Sequence, residues 1–209
     1  MPVFYTFEAQ DELPLPTAFQ NGLEKQNAQL QPINLLTQES VPEDAQGVLI
    51  MAPVTDISAD DADKLIAYLD KGGKILMTTA YMEDFAEEMP NLQKVLDYFG
   101  LAIEKGLVME GDSSMYYQQP AYLLPDVAYD TLTKGISGEK YIFMPYAQGI
   151  RSEEKEDVTL TPLLTSSEAS YSKLNMNQAQ NYEKEDGDAE GPFDVGIHAE
   201  KKLEEGTAG

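Results

Sequence analysis

The sequence predicts an α/β domain built around a largely parallel β-sheet. The first observation is a series of short apolar runs, typical of buried strands, at residues 3–7, 47–52 and 74–79. The second is a helical pattern between the last two runs, since a strand, a helix and a strand in this order form a right-handed parallel crossover. We therefore expect the three strands to be neighbours in one sheet.

The elements of the N-terminal half follow from apolar spacing and capping residues. Ser58 is a candidate N-cap, and Gly72-Gly73 supplies a left-handed stop for the helix that lies between them. Pro90 suits the first turn of a further helix, which Gly100 ends. The expected strands are 3–7, 30–36, 47–52 and 74–79, and the expected helices are one through Phe19 and Leu23, one over 59–71 and one over 90–99.

The C-terminal half carries weaker signals, which predict additional β-strands around a long polar loop at 175–191. The candidate strands are 101–103, 107–109, 141–146, 163–171 and 193–199. We expect a single α/β domain over residues 1–199, with a core at 3–105 and a less regular extension at 106–199. The polar residues 200–209 are expected to form a flexible tail.

The composition limits the possible functions. The chain has 209 residues, and its 14 Lys and Arg against 37 Asp and Glu give a net charge of −23. Such a chain is not expected to bind nucleic acid or anionic membranes through basic patches. It has no cysteine and one histidine, which excludes disulfides, thiol nucleophiles and metal sites built from cysteine or several histidines.

Catalytic templates and anionic cofactors find little support in this sequence. There is no Gly-x-Ser-x-Gly nucleophile elbow, and His198 lies at a strand position that favours a structural or exposed histidine. The acidic segment after the first strand would repel a phosphate, and no phosphate-binding Gly-x-x-x-x-Gly-Lys motif occurs. We expect no cofactor and no enzymatic activity.

A ligand of an open α/β sheet is expected at the carboxyl ends of its strands. On the predicted strands that rim consists of Asp11, Glu12, Pro53, Thr55, Asp56, Thr79 and Tyr81.

Two further segments are candidate binding sites. Tyr116, Tyr117 and Tyr122 alternate with glutamines and a proline, a pattern that predicts either a sugar or partner surface or tyrosines packed over the sheet edge. In the acidic segment 186–194, oxygen ligands at alternating positions resemble a calcium loop, although Ile197 stands where the loop requires a glutamate. A solvated acidic loop is the alternative. The metal ligands would be Asp186, Asp188, Glu190 and Asp194.

Several motifs, taken in their order along the chain, resemble a known family of transport proteins. They are Val3-Phe4-Tyr5-Thr6-Phe7 followed by Gln10-Asp11-Glu12, Val48-Leu49-Ile50-Met51-Ala52-Pro53, Leu69-Asp70-Lys71-Gly72-Gly73-Lys74, and Thr161-Pro162-Leu163-Leu164-Thr165-Ser166-Ser167. Over residues 3–199 the chain resembles the extracytoplasmic domain of ABC-transporter auxiliary proteins of the gliding-motility type.

The resemblance implies a flavodoxin-like or class I glutamine amidotransferase-like three-layer sandwich. It also implies a bacterial protein anchored at the extracytoplasmic face of the cell membrane by flanking helices absent from this chain. The implied partners are the permease and ATPase subunits of the same ABC transport system. We therefore expect a non-enzymatic auxiliary domain that binds a partner or a ligand. The alternatives are a degenerate amidotransferase-like or carboxylate-based hydrolase, and a carbohydrate- or calcium-binding module.

Overall fold

The computed structural model describes residues 2–7, 17–136, 140–175, 182–204 and 206–209. Its N-terminal half contains a four-stranded sheet in the order β2-β1-β3-β4, and all three pairings are parallel. The strands are β1 Val3–Phe7, β2 Gln29–Ile33, β3 Ala45–Met51 and β4 Ile75–Thr78. The predicted parallel sheet, with the first, third and fourth strands side by side, is confirmed.

Four helices connect or flank these strands within the described residues: α1 Thr17–Lys25, α2 Ala59–Leu69, α3 Phe85–Glu88 and α4 Pro90–Asp97. Ser58 caps α2 by accepting a hydrogen bond from the Asp61 amide, and Gly72 adopts a φ of 84° after the helix ends. Leu65 and Leu69 of α2 are fully buried in one apolar cluster with Val48 and Ile50 of β3. The helix thus packs on the sheet through the face that its sequence predicts.

Short antiparallel strands form the C-terminal half. β5 pairs with β10, β7 with β9, β12 with both β6 and β13, and the remaining strands form a sheet in the order β15-β14-β11-β8. Their bounds are β5 Leu101–Ile103, β6 Leu107–Met109, β7 Tyr122–Leu123, β8 Asp126–Val127, β9 Met144–Pro145, β10 Ile150–Ser152, β11 Val158–Thr165, β12 Tyr171–Lys173, β13 Ala189–Glu190, β14 Asp194–Lys202 and β15 Thr207–Ala208. The observed class is therefore mixed α/β, with a parallel sheet and several antiparallel ones.

Residues 200–204 and 206–209 contain strand pairing where the sequence predicted a flexible tail. β14 continues to Lys202 because β11 opposite it provides backbone partners as far as Val158. β15 then turns back to pair with the end of β14, and Ala208 is buried in the main apolar cluster. Polar composition indicated a loose end, whereas long-range strand pairing orders this segment.

Among the described residues, no helix is long and apolar enough to cross a membrane.

Candidate functional site

The described part of the predicted rim lies beyond the ends of β3 and β4. Pro53 is buried directly after β3, while Thr55 is exposed. Asp11 and Glu12 lie outside the described residues.

Asp56 caps a helix. Its Oδ2 atom accepts hydrogen bonds from the Asn91 backbone amide at 2.9 Å and from the Asn91 side chain at 2.8 Å, and its Oδ1 atom accepts from the Leu92 amide at 3.1 Å. These amides belong to the first turn of α4, whose own N-cap residue Met89 offers no side-chain hydrogen bond. The carboxylate satisfies free amides at the positive end of the helix dipole. Asp56 therefore has a structural use at the position where a ligand contact was predicted.

Thr79 and Tyr81 border a cavity of about 600 Å³ between β4 and β14, which we call the edge groove. Burial, with the nearby Glu83 and Glu88 carboxylates, raises the pKa of the Tyr81 hydroxyl. Most of the groove lining is apolar, and α4, β5 and β11 contribute to it beside the two bounding strands. His198 of β14 also reaches the groove.

Four rings form a continuous aromatic surface, defined here as Tyr117, Tyr122, Phe143 and Tyr146. The Tyr122 ring meets the rings of Phe143 and Tyr146 edge-on, with centroids 5.5 Å and 5.4 Å away, and Tyr117 contacts Phe143 at 6.3 Å. The Tyr122 and Tyr146 hydroxyls lie 3.3 Å apart, and this hydrogen bond is the main cause that raises the pKa of Tyr122. Edge-to-face packing of this kind fixes the relative orientation of the rings.

The aromatic surface is open to solvent. The exposed fractions of Tyr117, Phe143 and Tyr146 are 55%, 51% and 49%. The sequence placed Tyr117 and Tyr122 in one candidate surface but did not bring Phe143 and Tyr146 to it. The available signal was the aromatic run at 141–146, which predicted a strand without indicating its partner. Tyr116, the third predicted tyrosine, makes a backbone bridge to Leu123.

Three of the four predicted calcium ligands are engaged with the protein. The Asp188 carboxylate accepts hydrogen bonds from the Leu174 amide at 3.0 Å and the Glu185 amide at 2.8 Å. Glu190 pairs with Lys184 at 2.5 Å, and the Asp194 Oδ1 atom accepts from the Thr165 hydroxyl at 3.2 Å. Within the described ranges, which include all four ligands, no group of three or more such side chains could hold a metal ion.

Comparison with known proteins identifies a family and a similar fold. The chain matches, over residues 8–205, the profile of the family described as "ABC-type uncharacterized transport system". A solved structure titled "mmIFT52 N-terminal domain" superposes with a TM-score of 0.61 at 15% sequence identity. That match covers 80% of this chain and 74% of the other. At this identity the likeness describes the fold alone. No curated protein matches the chain.

Proposed function

The chain belongs to the ABC-type uncharacterized transport system family, and we propose that it is an auxiliary component that works by binding a protein partner. The partners are the permease and ATPase subunits of the same system. The proposed location is the extracytoplasmic side of the membrane. In this proposal the chain itself carries out no chemistry.

The observation that carries this proposal is the aromatic surface. Tyrosine and phenylalanine bury large areas at little cost in side-chain entropy, which is why aromatic side chains are enriched at protein interfaces. Here three rings that are about half exposed join a fourth in a chain of contacts, Tyr117 to Phe143, Phe143 to Tyr122 and Tyr122 to Tyr146, so the patch is preorganised. A contiguous exposed apolar patch of this kind marks an interaction site more strongly than scattered single side chains do.

The histidine lies on a strand, near a carboxylate. His198 is within β14, opposite Thr161 of β11. Hydrogen bonds from the Leu132 amide and the Thr131 hydroxyl lower the pKa of the Asp130 carboxylate, and the charge of His198 adds to this shift. We assign no nucleophile to this histidine, because activation requires a hydroxyl or thiol hydrogen-bonded to the imidazole.

The negative net charge of the chain would favour association with partners that carry a basic surface. The net charge of −23 creates a long-range field that favours a basic partner surface and disfavours acidic ones. Exposed charges act within a Debye length of about 8 Å at physiological ionic strength, so the association rate should fall as salt rises. The aromatic contacts should depend much less on salt.

Co-purification of the chain with its co-expressed permease and ATPase tests the proposal. Tyr117→Ala and Phe143→Ala remove rings from the aromatic surface, and each should weaken binding about tenfold or more, as loss of an interface anchor does. Tyr129→Ala is the matched control, because Tyr129 is 84% exposed and belongs to no ring contact in the described structure. Equal recovery of the transporter subunits with all three variants would defeat the proposal.

A further inference from the structure

Hydrogen bonds hold the aromatic surface in one arrangement. Tyr146 has a φ of 58°, a left-handed conformation that a tyrosine rarely adopts, and its amide donates to the Ala121 carbonyl at 2.9 Å. The Gln119 side chain accepts a hydrogen bond from the Tyr182 hydroxyl at 2.7 Å and also bonds to the Tyr122 hydroxyl. Uncommon backbone conformations persist where the surrounding contacts enforce them, and they are concentrated at functional sites.

The rings of the aromatic surface can attract a cation without carrying a charge. The face of an aromatic ring is the negative part of its quadrupole, so an ammonium or guanidinium group placed over it is stabilised. Tyr117, Phe143 and Tyr146 each leave about half of their surface open to solvent. The surface can therefore distinguish a cationic side chain from a neutral one of the same shape.

The basic residues of this chain do not serve the four rings. All 14 Lys and Arg residues belong to the described ranges. In those ranges the ammonium group of Lys201 lies over the Tyr98 ring, 4.0 Å from its centroid, and no cation–π contact involves the aromatic surface. The net charge of −23 attracts cations from outside the chain. A cation on these rings would therefore come from another molecule.

Arginine suits the aromatic surface better than lysine does. Its guanidinium group is planar, stacks on aromatic faces and is more weakly hydrated than an ammonium group. Its N–H groups also need acceptors, and the Tyr122 and Tyr146 hydroxyl oxygens at this surface can accept hydrogen bonds. An acidic side chain would be repelled by the net charge, and a neutral apolar one would gain nothing from the ring quadrupoles.

We propose that the aromatic surface recognises an arginine side chain of the transporter partner through cation–π contact. This inference rests on the proposed partner-binding function and names the chemical group that is recognised. The acidic chain attracts the basic partner at long range, and the rings hold the guanidinium group at short range.

Two peptides that differ only in charge test the recognition. The probe is acetylated and amidated Gly-Arg-Gly, and its matched control is Gly-citrulline-Gly, because citrulline keeps the shape of arginine without its charge. In titrations of the full chain followed by the NMR shifts of the Phe143 and Tyr146 rings, the arginine peptide should bind about threefold more tightly or better. A salt concentration of about 1 M, where the Debye length is about 3 Å, suppresses general attraction to the acidic chain. The exposed Tyr129 ring reports whatever attraction remains.

Fluorination separates the ring quadrupole from apolar contact. The substitution Phe143→pentafluorophenylalanine keeps an apolar ring of similar shape but withdraws electron density from its face. It should reduce the affinity for the arginine peptide to that for the citrulline peptide, and it should lower recovery of the co-expressed permease and ATPase. Pentafluorophenylalanine in place of Tyr129 is the matched control and should change neither measurement.

The outcomes distinguish this inference from the function on which it rests. Equal affinity for the two peptides, or an arginine preference that fluorination at Phe143 leaves unchanged, would overturn arginine recognition. If Tyr117→Ala still lowered recovery of the transporter subunits in that case, the partner-binding function would stand without it. An arginine preference combined with recovery that Tyr117→Ala does not change would defeat the partner-binding function, and with it the assignment of the arginine to the transporter.

Discussion

The N-terminal and C-terminal halves of this protein have different interiors. Residues 2–105 bury almost only apolar side chains, and Asp61 and Gln93 are the exceptions among those described. Residues 106–209 bury polar and charged ones in quantity: Glu110, Thr133, Gln148, Ser166, Ser170, Ser172 and Lys173. The first half is thus held mainly by non-directional burial, whereas the second depends on specific long-range hydrogen bonds.

Lys173 illustrates the polar interior. Its ammonium group is 1% exposed, donates to the Glu183 carbonyl at 2.8 Å, and lies 3.4 Å and 4.0 Å from the carboxylates of Glu185 and Asp188. This cation organises the segment in which the sequence predicted a calcium loop.

Glu110 has a similar role at the other end of β12. Its carboxylate accepts hydrogen bonds from the Ser167 and Asp112 amides and from the Ser167 hydroxyl. Ser166 then connects this turn to the start of β14, since its hydroxyl accepts from the Phe193 amide at 2.8 Å. The Thr-Pro-Leu-Leu-Thr-Ser-Ser motif therefore ends in a polar turn that is held by hydrogen bonds to Glu110 and Phe193.

Removing the buried cation should lower the free energy of unfolding more than any other change considered below. Lys173→Met should lower the free energy of unfolding by about 3–5 kcal/mol, because it leaves the carboxylate of Asp188 buried without its counter-charge. Urea denaturation measures the change. The double variant Lys173→Met/Asp188→Asn should recover part of the loss, whereas strict additivity of the two substitutions would refute the coupled polar interior.

A core truncation in the N-terminal half should cost about as much without such coupling. Leu65→Ala removes a side chain with no solvent exposure and should lower the free energy of unfolding by about 2–5 kcal/mol. Leu36→Ala is the control, because Leu36 is 66% exposed and its truncation should change stability by less than about 0.5 kcal/mol. Similar losses from both variants would contradict the assignment of Leu65 to the core.

The cap at α4 should have an intermediate effect. Asp56→Ala removes the acceptors of the Asn91 and Leu92 amides and should cost about 0.5–2 kcal/mol of unfolding free energy. Asp56→Asn keeps one acceptor oxygen and should cost less. If Asp56→Ala left thermal stability unchanged but weakened partner binding, Asp56 would belong to a ligand site after all.

The smallest effect concerns alkaline pH. Burial raises the pKa of the Tyr98 hydroxyl above its usual value. The hydrogen bond to Asp70 and the negative charges of Asp70 and Asp157 raise it further. The folded protein then holds a proton that the unfolded chain releases above about pH 10. The stability that Tyr98 contributes is therefore fully present below about pH 10 and is lost as the pH rises further. Tyr98→Phe should flatten the fall in stability between about pH 9 and 11, and an unchanged slope would contradict it.

The same contrast explains how much the sequence could predict. The apolar runs of β3 and β4, the Ser58 cap and the Gly72 turn are local signals, and they located the parallel sheet and α2. The burial predicted for β4 was wrong, because β4 is an edge strand in which Leu76 is 49% exposed. The helix-capping use of Asp56, the pairing of β15 with β14, and the contact of Phe143 with Tyr122 join residues far apart in sequence. No local periodicity encodes such contacts, so the aromatic surface was predicted in part and the pairing of β15 with β14 was not predicted.

We propose that the aromatic surface of the C-terminal half binds the transporter partner, while the N-terminal half serves as a scaffold. Photo-crosslinking in cells tests it directly, with a benzophenone amino acid placed either at Tyr117 or at Leu36, which are 55% and 66% exposed. We expect crosslinks to the permease or ATPase from position 117 and none from position 36. Crosslinks from position 36 alone would contradict it.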